Sequence, residues 1–375
     1  MRSGRVTQGS AAPMSKVVEM DPGGQSYTRF HGRPPLAVAL ALLALVLAWM
    51  AASSWSGAGA SGATTSGRLF SPNGVWNHPL ARNARIDPHS GRLVHKLVQA
   101  VNGPTPWIQT DSYSTPLYVV GPNQRRVHVA LFQGNQAGRR SLQRAFRRVP
   151  IPRYARPAGG SDKHMTIWQP STDMLWEFWQ AHKKSGRWHA TWGGAMKHVS
   201  RNPGYYTPAA WPGLALLNWG STASSLPVVA GTMLIRELRS GQIRHALEMV
   251  IPNPRARQYS WPAQRTDGSG PPGAIPEGAR FRLPASLNLE ALHLPKPTLM
   301  MARAAKRYGL IVRDRSLGVG FFAQDPGARP DPYVGAHGLF RGRSPEQIMR
   351  RFPWRKLRLL KMSLCTDQSR ICRQR

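Results

Sequence analysis

Two short runs near the middle of the chain alternate in character, "HMTIW" from His164 to Trp168 and "MLWEFW" from Met174 to Trp179. Side chains of a strand point to opposite faces in turn. The residues between them, "QPSTD", are of the kind that make tight turns. The pair therefore predicts a β-hairpin. A two- or four-residue loop sets Thr166 opposite Glu177 and His164 opposite Trp179. One face then carries His164, Thr166, Trp168, Leu175, Glu177 and Trp179. The other carries Met165, Ile167, Trp176 and Phe178, a plain core face. A three- or five-residue loop would move Glu177 to the opposite face.

Similar short runs recur along the chain. Pro116–Gly121 and Arg125–Phe132 are β-branched and separated by a Gly-Pro-Asn turn. Arg187–Gly193 reads as the next strand of a meander. Ile243–Ile251 alternates, with Ile243, His245, Leu247, Met249 and Ile251 on one face. Ala279–Leu283 is a further strand, and "GLIVRD" and "GVGFFAQ" around Leu317-Gly318 predict a late hairpin. Helical spacing is rarer. It occurs over Asp87–Val101 and over Thr298–Tyr308, where Gly309 supplies the stop, and in "SPEQIMRRF", with Ser344 as N-cap and Pro345 at the first helical position. With 33 Pro and 36 Gly to make turns, the expected fold is mostly β, a β-sandwich or jelly roll with a few peripheral helices.

One apolar run is different. Residues 35–52 contain "LAVALALLALVLAWMAA", uncharged and at the lower limit of length for a bilayer span. Arg2, Arg5, Lys16, Arg29 and Arg33 precede it, so the N-terminus stays cytoplasmic and the rest is exported. The run is either a transmembrane signal anchor or the core of a cleaved signal peptide. The chain then divides into a disordered basic tail (1–34), the membrane segment (35–52), a Gly/Ser/Ala/Thr linker (53–67) and an extracytoplasmic domain (68–375). Export also makes sense of the cysteines. Cys365 and Cys372 are the only two, and in an oxidising compartment they are expected to form a local disulfide that pins the tail. No metal-ligand spacing accompanies them, and no cofactor motif is present, so neither a metal nor a cofactor is expected.

Charge narrows the partners. Fifty-one basic residues against 17 acidic ones give a formal net charge of +34, which attracts polyanions. Either this reflects an Arg-rich composition alone or it selects an anionic polymer. Export disfavours nucleic acid, which leaves the membrane, through the N-terminal helix, and an anionic or neutral polysaccharide. Oligomeric state is not legible.

In a chain so short of acids, Glu177 among Trp168, Trp176 and Trp179 stands out. Rings that cover sugar faces, with a carboxylate and an imidazole beside them, are the parts of a glycan site. The catalytic candidates are Glu177, His164 and Asp162, two residues before His164. Trp168, Trp179 and Trp261 are candidate sugar platforms, with Arg265 as an anion clamp and Asp267 beside it in "WPAQRTD". Each has a plainer reading: Glu177 as a surface acid or a partner of one of many Arg, Arg265 on a solvated loop, His245 as a core histidine, Asp173 closing a turn and Glu237 capping one.

From about Phe70 onward the chain resembles a family of exported bacterial proteins without an assigned activity. The resemblance is carried by "HMTIW…MLWEFW", "LRSGQIRHAL", "YSWPAQRTDG", "IPEGARFRL", "ARAAKRYGLIVRD", "RRFPW" and "SLC…C". It implies an exported, mostly β domain. Where that family has Trp-Pro-Ala-Arg-His, this chain has Trp261-Pro262-Ala263-Gln264-Arg265, which weakens a catalytic role at Gln264 and Arg265. The function expected is action on a cell-envelope or extracellular polysaccharide as glycoside hydrolase or lyase, the alternative being a non-catalytic polymer-binding protein.

Overall fold

The predicted hairpin is present in the computed structural model, which describes residues 68–374 apart from 105, 133–138, 207–219, 328–330 and 367–369. Strands Met165–Gln169 and Met174–Trp179 pair antiparallel with Thr166 opposite Glu177 and Ile167 opposite Trp176. A four-residue loop joins them. Its Pro170–Thr172 turn ends on Asp173 in the left-handed region (φ 50°), whose carboxylate accepts from Ser200 N at 2.9 Å and Ser200 Oγ at 2.7 Å. Asp173 therefore closes the turn, as its plainer reading has it.

The hairpin lies inside a five-stranded sheet, in the order Gln324–Asp325, Thr115–Val119, Met165–Gln169, Met174–Trp179, Trp192–Lys197. A six-stranded sheet runs Trp107–Gln109, Gly320–Phe322, Leu247–Ile251, Leu310–Arg315, Arg280–Arg282, Arg358–Leu359. Two ribbons are smaller: Val129–Leu131, Arg187–Ala190 and His182–Lys184 form one, and Tyr259–Ser260 with Leu364–Cys365 the other. The fold is sheet-rich with few helices, as expected. Its pairing is mixed, however, where a sandwich or jelly roll of the expected kind has antiparallel pairs.

Two local expectations are corrected. Leu310–Arg315 and Gly320–Phe322 do not pair as a late hairpin, because Leu247–Ile251 lies between them, parallel to the first and antiparallel to the second. Every residue of that strand is buried, and a central position covers both of its edges. The meander also breaks. Arg187–Ala190 joins the small ribbon, and Trp192–Lys197 is the strand that pairs with Met174–Trp179.

Each large sheet has its own core. Phe146, Ile167, Trp176, Phe178 and Tyr206 pack in the first. Leu93, Leu97, Phe281, Phe321 and Met349 pack in the second, contributed partly by the helices Ser90–Asn102 and Pro345–Arg350. The latter starts at Ser344, whose Oγ accepts from Gln347 N at 3.1 Å while Gln347 reaches back to the Ser344 amide, a capping box. The expected helix before Gly309 spans Lys296–Arg307. His245 is partly buried and ion-paired to Glu237 at 2.9 Å, with its other ring nitrogen 2.8 Å from Ala246 O. Glu237 in turn accepts from Leu234 N at the start of Ile235–Ser240. The pair is thus a structural tie, in line with the plainer readings of both residues.

The disulfide Cys365–Cys372 is formed and fixes the tail. Gln264 holds the same tail by donating to Cys372 O at 3.1 Å and accepting from Cys372 N at 2.9 Å. Residues 1–67, with the predicted membrane segment and linker, lie outside the described residues. Among those described, no helix is long and apolar enough to cross a membrane.

Candidate functional site

A cleft of about 840 Å³ is lined by strand ends of both large sheets. The five-stranded sheet and the turn before it contribute Asp162, His164, Trp179 and Trp192. The six-stranded sheet contributes Trp107, Phe322 and Arg313 to Arg315, and two further segments bring Gly220–Ala223 and Arg265 with Asp267. Five of the residues singled out from the sequence, Asp162, His164, Trp179, Arg265 and Asp267, therefore meet in one place although they span more than a quarter of the chain.

Three singled-out residues do not line it. Glu177 is on the predicted face, but it is 0 % exposed. The segment Ser221–Val228 closes over it, and its carboxylate accepts from Ser221 N at 2.6 Å and Val228 N at 2.9 Å. Tyr206 packs against the facing strand beside it, where a Cβ on Gly194 would fall 2.2 Å from the phenol oxygen. Burial pushes the Glu177 carboxyl up to about 7, against the pull of those two amides and of Arg313. The predicted desolvation is real, but the group faces backbone amides and not an open groove. Trp168 is likewise a core residue, packed with Leu175 at the buried end of the same face. Trp261 lines a separate cavity.

Asp162, Asp267 and Asp314 are the carboxylates that line the cleft, and Glu277 stands next to the last two. One oxygen each of Asp267, Glu277 and Asp314 lies within 4.8 Å of the other two. Asp267 is half-exposed, with a side-chain accessibility of 42 %, and pairs with Arg315 at 3.0 Å. Asp314 accepts from Ala223 N at 3.1 Å and Arg315 N at 2.9 Å. Glu277 is fully buried behind them, with the Thr266 and Asp267 side chains beside its carboxyl. Like charges this close do not all ionise. Burial and the neighbouring Asp267 push Asp314 up to about 6, with Arg313 opposing. Burial, Asp314 and Asp267 push Glu277 well above the ordinary carboxylate range. These three are the described residues with the spacing to hold a metal ion. Arg265, Arg313 and Arg315 line the same cleft, and Arg315 forms the ion pair with Asp267.

The arginines are held in place. Arg265 donates Nη2 to Thr222 O at 2.8 Å. Arg313, only 3 % exposed, donates to Val228 O at 2.9 Å, pairs with buried Glu248 and lies 4.0 Å from the centre of the Phe322 ring. On the opposite wall Trp179 donates its indole N–H to Asp162 at 3.2 Å, and the Asp162 carboxylate stands 4.0 Å from His164 Nε2. The other ring nitrogen of His164 is 3.4 Å from Phe178 O. Burial, and then the positive charge of Arg313, lower His164 to about 4, with Asp162 opposing. The cleft therefore presents a neutral imidazole on one wall at neutral pH and, on the other, the Asp314 carboxyl, which takes up its proton as pH falls through about 6, among indole rings.

The chain matches no known protein family, no curated protein and no solved structure. The resemblance drawn from its motifs stands on those motifs alone, and the chemistry has to be read from the cleft.

Sequence reasoning missed Asp314, Glu277, Arg313 and Trp192. A usable signal existed for the first two. Acids are scarce in this chain, and both fall inside quoted motifs, Glu277 in "IPEGARFRL" and Asp314 at the end of "GLIVRD".

Proposed function

We propose that this protein is an exported, membrane-anchored glycoside hydrolase that acts on a cell-envelope or extracellular polysaccharide in the cleft lined by both large sheets. The observation that carries the reading is the pair Asp267 and Asp314, close together in a cleft walled by Trp107, Trp179 and Trp192. Indole faces suit the apolar faces of sugar rings. Two carboxyls favour hydrolysis over β-elimination, which needs a base and charge neutralisation but no carboxyl pair.

The roles follow from the environments. Asp314, raised to about 6, carries a proton below that pH and donates it to the leaving glycosidic oxygen. Asp267, paired with Arg315, attacks the anomeric carbon as the carbon–oxygen bond breaks and forms a glycosyl ester. Asp314, now a carboxylate, takes a proton from the water that hydrolyses the ester, and so regains its starting state. The spacing supports this order. One oxygen of each lies no more than 4.8 Å from the other, which is short of the roughly 6.5–9.5 Å that inverting enzymes leave for a water. Glu277, protonated behind the pair, spares the site a third negative charge. Export is supported by the N-terminal sequence and by the disulfide.

A panel of neutral and acidic polysaccharides, assayed for new reducing ends and for absorbance at about 235 nm, tests the reaction class. Reducing ends without that absorbance, released with the anomeric configuration retained, are the expected products. A rise at 235 nm would instead assign elimination, with His164 as the candidate base. Binding without any product would leave the polymer-binding alternative.

A further inference from the structure

A second cavity, of about 520 Å³, shares no lining residue with the cleft. The same segment borders both: Trp261 lines the second cavity, while Arg265 and Asp267 line the cleft. Its walls are largely apolar, with Val75, Leu80 and Met362 among them. Its charged residues are all basic. Arg85, Arg280 and Lys361 line it, and no Asp or Glu does so among the described residues.

Arg280 is the informative member. Its guanidinium donates to Tyr308 O at 2.9 Å through Nε, yet no acid among the described residues forms an ion pair with it. Its neighbour in the strand's charge environment is Arg282, which adds to the repulsion, and burial and Arg282 together lower Arg280 to about 9. A half-buried guanidinium beside another, without a counter-ion, is costly unless an anion completes the site. Other buried guanidiniums in this protein have either an acid, as Arg313 has Glu248, or several carbonyls, as Arg282 has those of Leu283, Ala81 and Lys306, whereas the Arg280 guanidinium has the one carbonyl of Tyr308.

We propose that this cavity binds a carboxylate-bearing sugar unit, a hexuronate residue of an acidic polysaccharide. Its ring lies against Trp261 and its carboxylate faces Arg280, with Arg85 and Lys361 at the rim. The apolar walls and the indole select a ring with an anionic substituent over a bare phosphate, which needs donors and charge but no hydrophobic surface. The proposal deepens the polysaccharide reading by naming an acidic polymer held at a point outside the cleft. It assigns Trp261 the platform role expected from sequence, at a different address. It also gives the net charge of +34 a local use.

Isothermal titration of the full extracytoplasmic chain with trigalacturonate, and with its methyl ester as the uncharged counterpart, is the test. The acid form binds and the ester binds at least about tenfold more weakly, with the gap narrowing as salt rises. Trp261→Ala and the rim double variant Arg85→Ser/Lys361→Ser each weaken the acid form by about tenfold or more. Arg85 and Lys361 are exposed, so the double variant keeps the fold even where Trp261→Ala does not. Asp314→Asn, which alters only the cleft, leaves this binding unchanged, so failure of the cleft reading does not imitate failure here. Equal binding of ester and acid, no binding of either, undiminished binding in the rim variant, or loss of binding in Asp314→Asn would each overturn the proposal. So would a preference for inorganic phosphate over trigalacturonate.

Discussion

Replacing Glu177 by Ala is expected to cost the fold about 2–6 kcal/mol, a large share of the roughly 5–15 kcal/mol that holds an ordinary domain together. The cost comes from the two amides left behind. Ser221 N and Val228 N both point at this carboxylate inside a fully buried site. Each buried donor without an acceptor loses about 1–3 kcal/mol. The damage extends further, because Thr222 O holds Arg265 and Ala223 N holds Asp314, so the segment that Glu177 anchors is also a wall of the cleft. Glu177→Gln keeps one acceptor and should lose about half as much. Urea unfolding of the two variants beside wild type gives the answer. If Glu177→Ala were as stable as wild type yet inactive, Glu177 would be a reacting group and the present assignment would be wrong.

The opposite pattern is expected at Asp314. Asparagine retains an oxygen that accepts from Ala223 N or Arg315 N, so Asp314→Asn should fold with near-native stability. It cannot deliver the proton, and general acid catalysis is worth about 10²–10⁴ in rate. The turnover number should therefore fall by that factor at matched folded fraction. The pH profile carries a sign as well. Asp314 must be protonated to act, and its carboxyl is raised to about 6. The wild-type rate should be highest below that value and decline as pH rises through it. Residual activity of Asp314→Asn should lack that limb. A variant that keeps both the rate and the limb would remove Asp314 from the chemistry.

The contrast between these two acids shows how far local pattern reaches. Alternation and turn chemistry placed Glu177 on the correct face and opposite Thr166, because register is set by the loop and by the apolar set Met165, Ile167, Trp176 and Phe178. The same pattern could not reveal what lies on top of that face. The roof, Ser221–Val228, begins more than forty residues later and bonds to Glu177 only through tertiary contact. The same limit applies to the late hairpin. Two adjacent apolar runs joined by an exposed Leu317-Gly318 turn read as partners, and nothing local tells that Leu247–Ile251 inserts between them. Helix Pro345–Arg350 was legible because its signal, Ser344 as N-cap followed by Pro345, is local to its first turn.

The cleft was half legible for the same reason. Asp162, His164 and Trp179 belong to the hairpin and were found through it, and Arg265 and Asp267 were found through composition around Trp261. The carboxyl pair needs Asp267 from one loop and Asp314 from the end of a central strand, brought together by the six-stranded sheet. Residue type alone could not pair them. Trp168 and Trp261 resemble Trp179 in sequence surroundings, yet one is core, one faces a second cavity and one faces the cleft.

A crystal structure of Asp314→Asn with an oligosaccharide from the most readily cleaved polymer tests the central assignment most directly. A sugar ring against Trp179 or Trp192, with the scissile oxygen between residue 314 and Asp267, is the predicted result. A chain seated away from both carboxyls, with the cleft empty, would contradict it.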